Sequence, residues 1–181
     1  MRKNNGEAIL QHYEKFLGEF IGVKTYAGNE KSFPIQLLIY ENVFEGCKTY
    51  ASLGVSKYSN IINNNCEVIL VVDCDEENSS NILANALFYI INNNVELRRG
   101  TYIDGIKNIN KEFYLRHNKS AIYFTETYYF PEEFSLADNK KMYLAFFISE
   151  EEVNYLKQYG FDKFEDYLEE KNCDIFELER I

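Results

Sequence analysis

The run Cys66-Glu67-Val68-Ile69-Leu70-Val71-Val72 constrains this chain more than any other stretch. It has the length of a strand and is near-continuously apolar, without the alternation expected of a strand with one wet face. Such a segment belongs in the middle of a sheet with cover on both sides. The segments around it supply both strands and helices, so the expected fold class is α+β. We expect one domain over residues 1–181, with a mixed β-sheet covered by helices. At 181 residues and 46% hydrophobic composition, one core of substantial size is available.

The other elements follow from spacing. Between Gly6 and Phe20, Ile9, Tyr13, Phe16 and Phe20 recur at steps of four and three, with Leu10 and Leu17 beside them, which predicts an amphipathic helix capped by Asn4 or Asn5. Residues 1–30 thus read as an amino-terminal helix and loop. Pro34 leads into the strand Ile35 to Tyr40, and a turn near Glu45-Gly46 reverses the chain into a second strand from Lys48 to Leu53. Gly54 follows where a side chain is excluded, by positive φ or by close backbone approach.

A helix beginning near Glu76 and ending at Asn92 carries Ile82, Leu83, Ala86, Leu87, Ile90 and Ile91 along one side. Gly100 to Ile103, Ala121 to Phe124 and Met142 to Ile148 read as further strands. Ser149-Glu150-Glu151-Glu152 has capping-box spacing for a helix that Gly160 ends, and Asp162 to Glu165 repeats that spacing for a last helix through about Lys171.

Charge excludes one class of partner. The chain has 19 basic and 29 acidic residues, a net of -10, and so lacks the basic footprint of a direct nucleic-acid binder. From Glu150 to Ile181, eleven carboxylates face four basic residues, which places -7 of that charge in the last 32 positions. This end either attracts a cationic partner or simply keeps the protein soluble. Cys47, Cys66, Cys74 and Cys173 form no CxxC pair, no signal-peptide layout opens the sequence, and no stretch is long enough to span a membrane. A reduced, cytoplasmic protein is expected.

The catalytic inventory is thin. His12 lies one residue off the first helical stripe and is expected at the surface, while His117 sits in the polar stretch Arg116 to Lys119. No cysteine lies in a sequence that signals an activated thiolate. Asp73-Cys74-Asp75-Glu76-Glu77 lacks the Gly and the ligand spacing of a calcium loop, and its acids suit a helix amino terminus. Glycine-rich phosphate loops and the GxSxG elbow are absent. No catalytic residue, metal site or cofactor is therefore expected.

Two clusters remain as candidates for binding. Tyr123, Tyr128, Tyr129 and Phe130 are either an exposed aromatic surface or a strand whose alternate residues enter the core. Arg98-Arg99-Gly100 is a basic island suited to tethering a nearby carboxylate. With the acidic carboxyl-terminal helix, these observations select Glu165, Asp166, Glu169, Glu170, Tyr128 and Tyr129 as candidate partner-binding residues.

Several pieces occur in a recognisable order: Tyr40-Glu41, Thr49-Tyr50-Ala51-Ser52-Leu53-Gly54-Val55-Ser56, the run Cys66 to Val72, Asp75-Glu76-Glu77-Asn78 leading to Asn81-Ile82-Leu83-Ala84, and Ile122-Tyr123-Phe124-Thr125. Near the end come Tyr155-Leu156 through Gly160-Phe161 and Asp174-Ile175-Phe176. From about Ile35 onward this order resembles the suppressor-of-fused domain family, and within it the compact bacterial members associated with antitoxin or immunity roles. The resemblance implies a non-enzymatic domain that neutralises a cognate protein toxin, such as a basic nuclease, by forming a complex. A cytoplasmic regulatory adaptor, or a hydrolase with an unrecognised site, is the alternative. Oligomeric state is not legible.

Overall fold

A computed structural model describes residues 5–28, 32–73 and 77–180 of the protein. In chain order these form α1 (Asn5–Leu17), β1 (Gly22–Tyr26), β2 (Ile35–Glu41), β3 (Lys48–Leu53), β4 (Cys66–Val72), α2 (Asn78–Asn92), β5 (Tyr102–Asp104), α3 (Ile106–Ile109) and α4 (Lys111–His117). There follow β6 (Lys119–Glu126), β7 (Leu136–Ala137), β8 (Lys140–Ser149), α5 (Glu150–Tyr159) and α6 (Phe161–Glu170). The sheet runs β1-β2-β3-β4-β8-β6-β5, with β7 paired to β8. Among the described residues, the β4–β8 pairing is parallel and the other pairings are antiparallel.

Every residue of β4 is buried, and the strand lies at the middle of the sheet. Its side chains divide between two cores. Cys66, Val68, Leu70 and Val72 pack on the face covered by α2, α3 and α4, where Ile82, Leu87, Ile106 and Phe113 lie. Ile69 and Val71 face the layer of α1, α5 and α6 with Ile9, Tyr13, Val153 and Phe164. Each fully buried aliphatic side chain contributes about 1.5–3 kcal/mol relative to exposure, so β4 anchors both layers at once.

The hairpin expected before β4 forms in full, with Tyr40 opposite Thr49 and Gln36 opposite Leu53. Gly54 satisfies both readings of its position: its φ is +122°, and a Cβ there would stand 2.8 Å from the Pro34 carbonyl oxygen. The six apolar residues assigned to the α2 stripe are all buried. Asn4, Cys74, Asp75 and Glu76 lie outside the described residues, Asn5 is the first residue of α1, and α2 begins at Asn78, with Glu77 at its cap position making no side-chain capping bond. Ser149 caps α5, accepting from the Glu152 N–H at 3.2 Å while the Glu152 carboxylate accepts from the Ser149 N–H at 2.6 Å.

Other boundaries differ from expectation. α1 stops at Leu17, so Phe20 lies beyond the helix and is exposed, and the buried stripe is Ile9, Tyr13 and Leu17. α6 begins at Phe161 with Gly160 as its cap residue; Asp162 is already inside the first turn and pairs with Arg99 instead of capping. β6 ends at Glu126, so Tyr128 and Tyr129 occupy a turn and do not continue the strand. β5 starts two residues later than expected. β1, β7, α3 and α4 carry no strong apolar period and escaped the sequence reading. β1 is an edge strand with alternating partial exposure, and α4 starts on an Asn110 side chain that accepts from the Phe113 N–H at 2.9 Å.

After α6 the chain returns to the end of β4. Phe176 accepts from the Asp73 N–H at 3.0 Å, and the Leu178 N–H donates to the Asp73 carboxylate at 3.1 Å. Arg180 closes this return through the Glu152 carboxylate and the Phe147 carbonyl.

Candidate functional site

The turn between α5 and α6 sets the geometry of the acidic end. Phe164 and Leu168 bury one face of α6, with the Phe164 ring edge-on to Tyr123 at 5.2 Å between centroids. Glu165, beside Phe164, is thereby directed along the sheet surface. Its Oε1 accepts from the Tyr123 hydroxyl at 2.8 Å and from Thr125 Oγ1 at 2.6 Å. Its Oε2 accepts from Arg99 through Nε at 2.8 Å and Nη2 at 2.7 Å. Arg99 also reaches Asp162 at 3.2 Å.

Gly100 makes room for this arrangement. A Cβ there would lie 2.7 Å from the Phe161 ring, and that ring supports the Arg99 guanidinium at 5.1 Å. The hydrogen bond to Glu165 holds Arg99 even further above its ordinary pKa. Burial, reinforced by the adjacent Glu165 charge, raises the Tyr123 hydroxyl. The tethering role expected of the basic island is thus carried by Arg99.

Above this cluster lies an open cavity of about 500 Å³. Tyr128 and Tyr129, 60% and 48% exposed, form one side; Asp166 and Glu169 of α6 form another. Phe146, Leu168 and Ile175 supply its apolar lining. Tyr129 is braced by Phe176 at 4.9 Å between ring centroids. Five of the six residues selected from the sequence therefore line one concavity, while Glu170 is exposed on α6 outside its lining. Glu165 differs from the other acids: its side chain is only 15% exposed and both oxygens are engaged. The carboxylates of Asp166, Glu169 and Glu170 have no hydrogen-bond or ion-pair partner among the described residues.

The groups considered for catalysis are tied into the scaffold. His12 is half-buried, where a surface position was expected, because its ring stacks on Phe134 at 5.3 Å and Nε2 lies 3.0 Å from the Phe134 carbonyl. Burial lowers its pKa. His117 is buried against Phe113, with Nδ1 2.6 Å from the Glu179 carboxylate. Burial pushes the Cys66 thiol far up, away from thiolate chemistry. Cys74 and the middle of the acidic segment 73–77 lie outside the described residues. No group of three His, Cys, Asp or Glu among the described residues is arranged to hold a metal.

One organising residue escaped the sequence reading. Glu67, wholly buried in β4, accepts from Ser52 Oγ at 2.5 Å, from the N–H groups of Gly54, Val55 and Ser56 at 3.0, 3.2 and 3.2 Å, and from Ser56 Oγ at 2.8 Å. The octapeptide Thr49 to Ser56 thus ends as a nest around a carboxylate. A single Glu inside an otherwise apolar strand was the available signal, since a buried charge requires partners.

Comparison with known proteins bears on the whole chain. A family model described as Suppressor of fused protein (SUFU) matches residues 31–181. Immunity protein YqcF of Bacillus subtilis (strain 168) is 27% identical over 177 residues, covering 91% of each chain. A SUFU homologue from Neisseria gonorrhoeae FA 1090, known from a crystal structure, superposes with a TM-score of 0.78 over 97% of this chain and 94% of its own, at 14% identity. That similarity shows a shared fold, and the family match extends through β2 to β8 and α2 to α6 as well as the return to β4. The chain belongs to the suppressor of fused protein family.

Proposed function

We propose that this protein is an immunity-type inhibitor that neutralises a cognate bacterial toxin by forming a complex with it in the cytoplasm. The observation that carries this reading is the similarity to Immunity protein YqcF across nine-tenths of both chains, 91% of each. The acidic end supplies a physical mechanism. Glu152, Glu165 and Glu179 are engaged with Arg180, Arg99 and His117, whereas Asp166, Glu169 and Glu170 are exposed along α6. A basic toxin, such as a nuclease whose lysines and arginines normally hold phosphate, would be steered to this face and blocked there. The exposed Tyr128 and Tyr129 add rigid contact area at low entropic cost.

Co-expression with any toxin encoded beside this protein tests the reading. The expected result is survival together with co-purification of the two chains. Survival without a complex would contradict sequestration. The steering component predicts that association slows as ionic strength rises from low to physiological values, and a rate independent of salt would remove it.

A further inference from the structure

The cavity between α6 and the Tyr128-Tyr129 turn has a more specific chemistry than general acidity. We propose that it seats an arginine side chain projecting from the protein partner. This rests on the reading of the protein as the inhibitor of a basic toxin, and it names the group that the toxin presents.

Three features of the cavity select this occupant. Its floor, where Phe146, Leu168 and Ile175 come to the surface only at their edges, together with the Tyr128 and Tyr129 rings, suits the methylene stem of a long side chain. The exposed rings of Tyr128 and Tyr129 offer faces on which a planar guanidinium stacks. Asp166 and Glu169, three residues apart on α6, lie on one helix face, and their carboxylates have no partner among the described residues to compete with a guanidinium.

Anionic occupants are disfavoured by the same geometry. Arg99 is the one cationic residue of the lining, and it is held by Glu165 and Asp162 at 2.7 and 3.2 Å. With that charge neutralised, Asp166 and Glu169 set the sign of the cavity. A phosphate or carboxylate would meet net negative potential there, whereas a guanidinium would meet its complement. The volume of about 500 Å³ accommodates one long side chain and its flanking backbone without displacing the Glu165 cluster.

The direct test needs no toxin. N-acetyl-arginine methylamide and its neutral isostere N-acetyl-citrulline methylamide are titrated into isotopically labelled protein, and amide resonances are followed by NMR. The arginine compound is expected to shift resonances of residues 128–129 and 166–173, saturating with a dissociation constant on the order of millimolar. The citrulline compound should leave them unmoved. The Asp166→Asn/Glu169→Gln and Tyr128→Ala variants, checked for an unchanged Tm, should each bind the arginine compound roughly tenfold more weakly.

Equal responses to both compounds, or shifts that persist in the variants, would overturn the arginine seat. A parallel measurement of toxin affinity separates this inference from the function on which it rests. An unresponsive cavity with toxin neutralisation intact in every variant sinks the seat and leaves immunity standing. A responsive cavity with no toxin complex supports the seat and removes the proposed function.

Discussion

Glu67 and Glu165 are both gripped by several donors, yet the donors differ in kind. Glu67 is held by three backbone N–H groups, of Gly54, Val55 and Ser56, together with the Ser52 and Ser56 hydroxyls, in a site without solvent. Glu165 is held by side chains from β6 and from the loop before β5, at the bottom of an open cavity. A carboxylate that organises backbone shapes the fold and has no spare capacity. One that organises side chains fixes a surface while Asp166 and Glu169 beside it stay free to meet something else.

The comparison can be broken most forcefully at the buried site. Glu67→Gln keeps the shape but turns an amide NH₂ towards groups that are themselves donors, so we expect a loss of roughly 3 kcal/mol in urea unfolding. A loss below about 1 kcal/mol would mean that the nest is not a structural keystone. Gly54→Ala should follow, costing about 2–3 kcal/mol, because positive φ and the Pro34 carbonyl both oppose a Cβ. Its thermal midpoint measures this, and a neutral result would show that the hairpin end can shift at little cost.

Changes at the second site should be milder. Glu165→Gln retains one acceptor and is partly solvated, so a destabilisation of about 1 kcal/mol is expected. If its urea midpoint fell as far as that of Glu67→Gln, the contrast between the two glutamates would collapse. Smallest of all, Asp166→Asn with Glu169→Gln should alter stability by less than about 0.5 kcal/mol while slowing association with a cationic partner and flattening its salt dependence. Calorimetry paired with stopped-flow binding separates the two effects, and a large drop in Tm would place these acids in the scaffold.

The legibility of the two sites in the sequence follows from the same physics. β4, α2 and the capped α5 were readable because periodicity and capping are local properties of consecutive residues. Gly54 was readable as an excluded side chain because glycine reports on backbone conformation. The partners of Glu67 were not, because the three N–H groups carry no signature of side-chain type and the Ser52 and Ser56 hydroxyls are brought to the carboxylate only by the fold. The Glu165 cluster was half legible. Arg99 advertised a tether in an acidic chain, but Tyr123 and Thr125 had no reason to be linked to a residue about 40 positions away. The aromatic cluster left two readings open because such residues fit a pleated surface as readily as an exposed turn, and it divides between them: Tyr123 is buried in β6, while Tyr128 and Tyr129 are exposed in the turn. β1 was missed because a five-residue edge strand with partial exposure has little pattern to show.

The parallel pairing of β4 with β8, and the return of Phe176 and Leu178 to Asp73, give the molecule a particular biosynthesis. The contact between Asp73 and Leu178 spans 105 positions, and the central strand, already paired with β3, waits for its parallel partner β8 much later in the chain. A nascent chain carries β4, its most apolar segment, uncovered on one edge until then. Closure of such distant contacts is slow, and exposed strand edges invite self-association. Until β8 is in place, β4 is the segment through which one growing chain would most readily pair with another.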